Sequence, residues 1–138
     1  MAIDIRWQQR FENFDRALVL LREPYQCNVA LLPALERDGT IRRFRTAVEL
    51  AWKTLKDYLE HEGHTFETVT PKSVIKEAFQ ARIVSDGQVW IDMIAHRNLL
   101  SYTYDGAVFE QAVIAVRDRY LGALEALHGW LLERRGPQ

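Results

Sequence analysis

Residues 41–58 read IRRFRTAVELAWKTLKDY, and the spacing of their apolar side chains decides the fold class. These side chains recur at alternating intervals of three and four residues: Ile41, Phe44, Val48, Ala51, Leu55 and Tyr58. This alternation places them on one face of an α-helix and leaves the other faces polar. The stretch therefore predicts a long amphipathic helix with one buried face.

Two further stretches carry the same pattern. In the first, the apolar positions are Trp7, Phe11, Phe14, Leu18 and Leu21. In the second, they are Phe109, Val113, Val116, Tyr120, Ala123, Leu127 and Trp130. No stretch of comparable length alternates with the period of two that is typical of a half-buried strand. The sequence therefore predicts an all-α fold.

Residues that begin or end helices divide the chain between these stretches. Pro24 is expected to end the first helix, because proline lacks the amide proton that a helix interior needs. Residues 38–40, Asp-Gly-Thr, offer a turn and an N-cap for the second long helix. Gly63 stands where a glycine often follows the end of a helix. These signals predict that the second long helix runs from about residue 40 to residue 62.

The second half of the chain has similar signals. Residues 70–71, Thr-Pro, predict the start of a short helix that reaches Phe79. Ser85, followed three residues later by Gln88, has the spacing of a capping box and predicts a medium helix over 86–102. Residues 105–106, Asp-Gly, end that helix and are predicted to cap the last one.

These elements predict an up-down bundle of four principal helices with an additional short helix. Three of the helices are long, one is of medium length, and short helical pieces are expected near 28–36 and 71–79. The chain has 138 residues, which fits a single domain over 1–138.

Composition limits the classes of function. The formal net charge is -1, so no global field attracts nucleic acid or an anionic membrane, and any RNA contact needs a local basic patch. Cys27 is the only cysteine, so no internal disulfide is expected. Residues 1–6 lack the apolar core of a signal peptide, and no apolar run is long enough to span a bilayer. We expect a soluble, cytoplasmic protein without a membrane partner.

Residues 93–105, MIAHRNLLSYTYD, concentrate polar chemistry at the end of an otherwise apolar helix. A buried arginine is costly unless it is paired or bound to something, so Arg97 marks a candidate site. Tyr104 is seven residues further on and would lie near Arg97 on a regular helix. Tyr102 lies about 140° away and would share the Arg97 face only if the helix unwinds or a second subunit contributes. The alternative is structural, with Arg97 paired to a carboxylate and the tyrosines packed at the rim.

Four blocks of sequence resemble the nucleotidyltransferase substrate-binding protein family, in its HepT-like branch of the HEPN superfamily. The signature block is RNLLSYTYD at residues 97–105. It is accompanied, in order, by ELAWKTLKDYL at 49–59, TPKSVIKEAF at 70–79 and DGQVW at 86–90. The resemblance extends from about Trp7 to Leu132.

This resemblance implies a helical homodimer whose partner is a minimal nucleotidyltransferase, as in toxin–antitoxin pairs. Trp52, Lys53 and Lys56 lie in a shared block and would face the partner or substrate, together with Arg97. The chain would need no cofactor, since the partner would use ATP. In HepT-like members the partner transfers AMP to a signature tyrosine, which corresponds here to Tyr104.

One signature position differs. The family usually has a histidine where this chain has Tyr102, and tyrosine is a poor proton carrier at neutral pH. Arg97 could still bind phosphate through its guanidinium. The first hypothesis is therefore a binding module that is non-catalytic or only weakly catalytic. The alternative is a metal-independent ribonuclease toxin that uses Arg97, Asn98 and either Tyr102 or His96, with RNA as a partner only in that case.

Two other groups carry weaker signals. His61 and His64 are three residues apart, but Gly63 separates them, so we predict a solvated helix end and no metal site. Arg42, Arg43 and Arg45 predict an exposed polar face or, less simply, a docking patch for an acidic partner or a phosphate.

Overall fold

The computed structural model describes residues 5–135. Within this range it contains α-helices and no strand. The helices are α1 (Arg6–Arg22), α2 (Ala34–His61), α3 (Pro71–Gln80), α4 (Gly87–Leu100), α5 (Gly106–Ala115) and α6 (Leu121–Arg135). A π-helical turn (Val116–Tyr120) joins α5 to α6, and 3-10 turns (Glu23–Gln26 and Val29–Leu31) connect α1 to α2. Residues 1–4, which form most of the segment used above to judge targeting, lie outside the described range.

The predicted architecture is confirmed. The four principal helices are α1, α2, α4 and the continuous α5–α6 rod, and α3 is the additional short helix. Every apolar position predicted for α1 and α2 is buried. No helix within residues 5–135 combines the length and the apolarity needed to cross a bilayer.

Two predicted helix boundaries follow the chemistry of their sequence. Gly63 has a φ of 96° just after α2, and the amide of His64 donates to the carbonyl of Leu59 at 2.9 Å. This is the Schellman arrangement, which satisfies carbonyls at a helix end and favours glycine. At the start of α3, Thr70 and Ser73 form a reciprocal capping box, with Pro71 in the first helical position.

Two other predicted boundaries were wrong. Residues 38–40 do not begin α2, which starts six residues earlier than Thr40, at Ala34. The Thr40 hydroxyl instead donates to the carbonyl of Glu36 within the helix, at 2.8 Å. The N-cap of α4 is Asp86 rather than Ser85, and its carboxylate accepts from the amide of Val89 at 3.2 Å.

The last helix has a change of register that the sequence pattern did not reveal. Asp105 caps it as predicted, accepting from the amide of Ala107 at 2.9 Å. The π-helical turn follows α5, and beyond it two of the three predicted core positions move forward by one residue. The buried residues beyond Tyr120 are Leu124, Leu127 and Leu131. Leu127 is buried as predicted, whereas three other predicted core residues are only half-buried: Phe109, Ala123 and Trp130.

Candidate functional site

A cleft of about 680 Å³ opens between α2 and the C-terminal end of α4. We call it the Arg97 cleft. Its walls include the side chains of Arg42, Arg45, Glu49, Arg97, Asn98 and Tyr102. Packing of α4 on α2 thus brings together residues that are up to about sixty positions apart in the sequence.

The Arg97 guanidinium is held from two sides. One Nη2 proton is donated to Glu49 Oε2, and one Nη1 proton is donated to Asn98 Oδ1 at 2.8 Å. A guanidinium has five N–H donors, so these two contacts do not use all of them. The side chain is 23% exposed and lines the cleft. Arg97 therefore has the carboxylate partner of the structural alternative while remaining accessible to an anion.

Glu49 is the centre of this polar network. Besides Arg97, it accepts a hydrogen bond from Trp52 Nε1 at 3.1 Å and pairs with Lys53 Nζ at 3.0 Å. Partial burial opposes its ionisation, but the hydrogen bonds from Lys53 and Trp52 and the Arg97 charge outweigh burial and lower the pKa of Glu49. Glu49 is thus ionised at neutral pH.

The basic group at the start of α2 divides between two surfaces. Arg42 and Arg45 are exposed and line the Arg97 cleft, and Arg45 donates to Ser101 Oγ at 3.2 Å. Arg43 instead points toward α1, where it contacts the carbonyl of Leu20 at 2.8 Å and pairs with Glu23. Sequence reasoning raised these arginines only as a weak signal, and the spacing of three between Arg42 and Arg45 was the available clue.

The two signature tyrosines lie beyond the helix. Because α4 ends at Leu100, Tyr102 lies in the following turn, outside the regular helix, and lines the Arg97 cleft. An end of the helix before Tyr102 was one of the two conditions under which we expected Tyr102 to share the face of Arg97. Tyr104 was expected near Arg97 on a regular helix, but it lies in the loop before α5 and does not line the cleft. The two tyrosines are 87% and 97% exposed, respectively.

His96 lies away from the Arg97 cleft. Its Nδ1 is 2.7 Å from the hydroxyl of Tyr120 in the π-helical turn. Burial, reinforced by the nearby Arg119 cation and partly offset by Asp92, lowers the pKa of His96. Asp92, which lies four residues before His96, forms its hydrogen bonds with Gln88 and Arg119.

A second cleft, of about 430 Å³, lies between α1 and α2. We call it the α1–α2 cleft, and it shares Glu49 and Leu50 with the Arg97 cleft. Lys53 and Lys56 line it and are 39% and 26% exposed. Trp52 was predicted to face a partner, but its side chain is only 8% exposed. Its connection to this surface is the hydrogen bond that it donates to Glu49.

The histidines considered for a metal site have other partners. His64 Nδ1 lies 2.7 Å from Glu77 Oε1 and connects the end of α2 to α3. His61 packs its ring against Trp7, with the two centroids 6.5 Å apart. In the described part of the chain, no group of three or more His, Cys, Asp or Glu side chains could hold a metal ion.

The family model for nucleotidyltransferase substrate binding protein-like sequences matches residues 9–133. The chain belongs to this family. A search of curated proteins gave no match. A crystal structure of a protein from Thermus thermophilus is similar, with 28% sequence identity and a TM-score of 0.71 over 84% of this chain and 96% of that chain. The matched range of this chain includes both the α2 block and the signature segment, and therefore both walls of the Arg97 cleft.

Proposed function

We propose that this protein is the substrate-binding partner of a minimal nucleotidyltransferase and that the Arg97 cleft holds a phosphate-bearing group. The observation that carries this proposal is the guanidinium of Arg97, which is held by Glu49 and Asn98 and is partly exposed in an open cleft. Arg42 and Arg45 add positive charge to the same walls. Arginine suits phosphate because its planar fork can donate two parallel hydrogen bonds.

The proposed docking surface for the nucleotidyltransferase is the α1–α2 cleft. Lys53 and Lys56 are partly exposed there and adjoin the Arg97 cleft through Glu49. An acidic patch on the partner would complement them and guide its approach. Docking there would bring the partner's active site close to a substrate held by Arg97.

A second copy of the chain is the other proposed partner, in a toxin–antitoxin-like assembly. Leu99 and Tyr102 are large side chains with apolar surface that lie exposed at and just beyond the end of α4. Neighbouring exposed apolar groups are typical of protein interfaces. A homodimer that uses this end would place two Arg97 clefts near each other.

Tyr104 is the proposed acceptor of AMP. Its exposed hydroxyl oxygen would attack the α-phosphorus of ATP bound by the partner, forming a phosphodiester bond. The bond between the α- and β-phosphates would break, pyrophosphate would leave, and the phenolic proton would pass to a base or to solvent. The chain itself would need no cofactor.

Co-expression with a minimal nucleotidyltransferase from the same genome tests docking. We expect the two chains to co-elute in size-exclusion chromatography with light scattering, which also reports the homodimer. The double variant Lys53→Glu and Lys56→Glu should lose the complex. Lys72→Glu combined with Lys76→Glu makes the same total change of charge on the exposed face of α3 and should keep it. Failure of the wild-type chains to associate, or equal loss with this control, would contradict the docking proposal.

Intact mass spectrometry tests modification. After incubation with the partner and ATP, the wild-type chain should gain the mass of AMP, and Tyr104→Phe should not. Tyr102→Phe is the matched control and should be modified like the wild type. An unchanged wild-type mass would reject modification while leaving docking to its own test.

A ribonuclease is the second candidate, and one observation favours it: Tyr102 lines the same cleft as Arg97 and Asn98. Because Tyr102 stands where the family usually has a histidine, and a phenol carries protons poorly at neutral pH, we expect no more RNA cleavage from the wild type than from Arg97→Ala. Metal-free cleavage that depends on Arg97 and Tyr102, together with slowed growth on expression without the partner, would instead support the ribonuclease toxin.

A further inference from the structure

Glu49 lies in the wall shared by the two clefts. On one side its Oε2 accepts from Arg97. On the other side its Oε1 pairs with Lys53 at 3.0 Å. The indole of Trp52 donates to Oε2, the same oxygen that Arg97 contacts. One carboxylate therefore connects the candidate phosphate ligand to the candidate docking surface.

We propose that Glu49 is a positioning residue that holds Arg97 ready for an anion and transmits occupancy of the Arg97 cleft to the Lys53 surface. This inference rests on the proposed role of Arg97 in binding phosphate. The arginine side chain has many rotamers, and ordering it costs free energy when a ligand binds. A contact that orders Arg97 beforehand removes part of that cost.

The shared oxygen explains how occupancy would be transmitted. An anion that binds the other N–H donors of Arg97 draws the guanidinium toward itself and weakens its contact with Glu49 Oε2. Weakening of that contact changes the position and charge density of the oxygen that accepts from Trp52. It also leaves the carboxylate more strongly associated with Lys53. The Trp52 indole proton therefore reports on an event in the Arg97 cleft although its ring is almost fully buried.

The change in anion affinity when Glu49 loses its charge distinguishes a positioning role from a purely electrostatic role. Glu49 is an anion beside the proposed anion site, so a purely electrostatic role predicts tighter anion binding in both Glu49→Gln and Glu49→Ala. Positioning predicts a different pattern. Glu49→Ala should bind more weakly because Arg97 loses its partner. Glu49→Gln keeps an acceptor oxygen and should bind at least as tightly as the wild type.

Inorganic pyrophosphate is the probe, and its affinity is measured by isothermal titration calorimetry on the full chain. We expect Glu49→Ala to weaken binding about fivefold, the factor that one typical hydrogen bond contributes. Arg97→Ala should abolish binding, and circular dichroism shows whether each variant is folded. If Glu49→Ala binds pyrophosphate as tightly as the wild type or more tightly, while Arg97→Ala does not bind it, the proposed role of Glu49 is overturned. The proposed role of Arg97 in binding phosphate is then unaffected. Absence of binding by the wild type overturns both.

Nuclear magnetic resonance tests transmission through four tryptophan indole signals, which are few enough to resolve. The Trp52 signal, assigned from Trp52→Phe, should shift when pyrophosphate is added and also in ligand-free Arg97→Ala. The Trp90 indole is the internal control and should not move in either case. A Trp52 signal unchanged by Arg97→Ala overturns transmission even if Glu49→Ala cannot be purified, because that comparison needs neither the ligand nor a Glu49 variant.

Discussion

Replacing Leu131 with alanine tests the register of α6 beyond the π-helical turn. Leu131 is fully buried in the core, whereas its neighbour Leu132 is 43% exposed. Truncating a buried leucine costs about 2–5 kcal/mol through lost transfer energy and the cavity left behind. A surface substitution usually changes stability by less than about 0.5 kcal/mol. We therefore expect Leu131→Ala to lower the free energy of unfolding by about 2–5 kcal/mol and Leu132→Ala to change it little.

Urea denaturation followed by circular dichroism at a helix-sensitive wavelength measures both costs. With about 4 °C of Tm for each kcal/mol at this chain length, Leu131→Ala should also lower Tm by roughly 8–20 °C. Equal losses for the two variants, or a loss below about 1 kcal/mol for Leu131→Ala, would refute the assignment of Leu131 to the core. Such a result would mean that the buried face of α6 does not run through Leu131.

Three further changes test local features. Gly63→Ala should destabilise the fold by about 1–2 kcal/mol in urea denaturation because φ is 96° there, although an added Cβ meets no atom within 4 Å. Thr70→Ala should cost about 0.5–2 kcal/mol, measured in the same way, because α3 loses its N-cap. Burial and the Arg119 cation hold the pKa of His96 below its usual 6.5, so the unfolded chain takes up a proton first as the pH falls. The free energy of unfolding should therefore drop below about pH 6.5, and the drop should be smaller in His96→Gln; identical pH profiles would contradict this account.

The fold was largely predictable because α1 and α2 each carry an uninterrupted apolar stripe. The N-terminus of α2 could not be predicted, because residues 38–40 are of types that often form turns but are helical in the folded chain. Helix propensities are weak relative to packing, so a single internal glycine does not end a helix that is otherwise well supported. The π-helical turn was not predicted either, because the apolar residues between 109 and 120 keep the spacing of an α-helix through it.

The candidate site was predictable only in part. Arg97 and Tyr102 stood out within one short segment, and the end of α4 at Leu100 brings both to the same cleft. The contact between Arg97 and Glu49 spans 48 positions and depends on how α4 packs against α2. No local pattern encodes such a contact, so the role of Glu49 could be found only from the structure.

Local charge, rather than net charge, decides what the Arg97 cleft can bind. The whole chain has a formal net charge of -1, which argued against a field that attracts anions. Helix α2 nevertheless gathers Arg42 and Arg45 on the walls that also hold Arg97, with Glu49 as the acidic residue among them. Charges separated by more than about 8 Å are largely screened at physiological salt, so a ligand in the cleft senses these side chains and not the distant acids. Pyrophosphate affinity should therefore fall as sodium chloride is raised, as for a basic protein, and an affinity independent of salt would show that the three arginines do not act together.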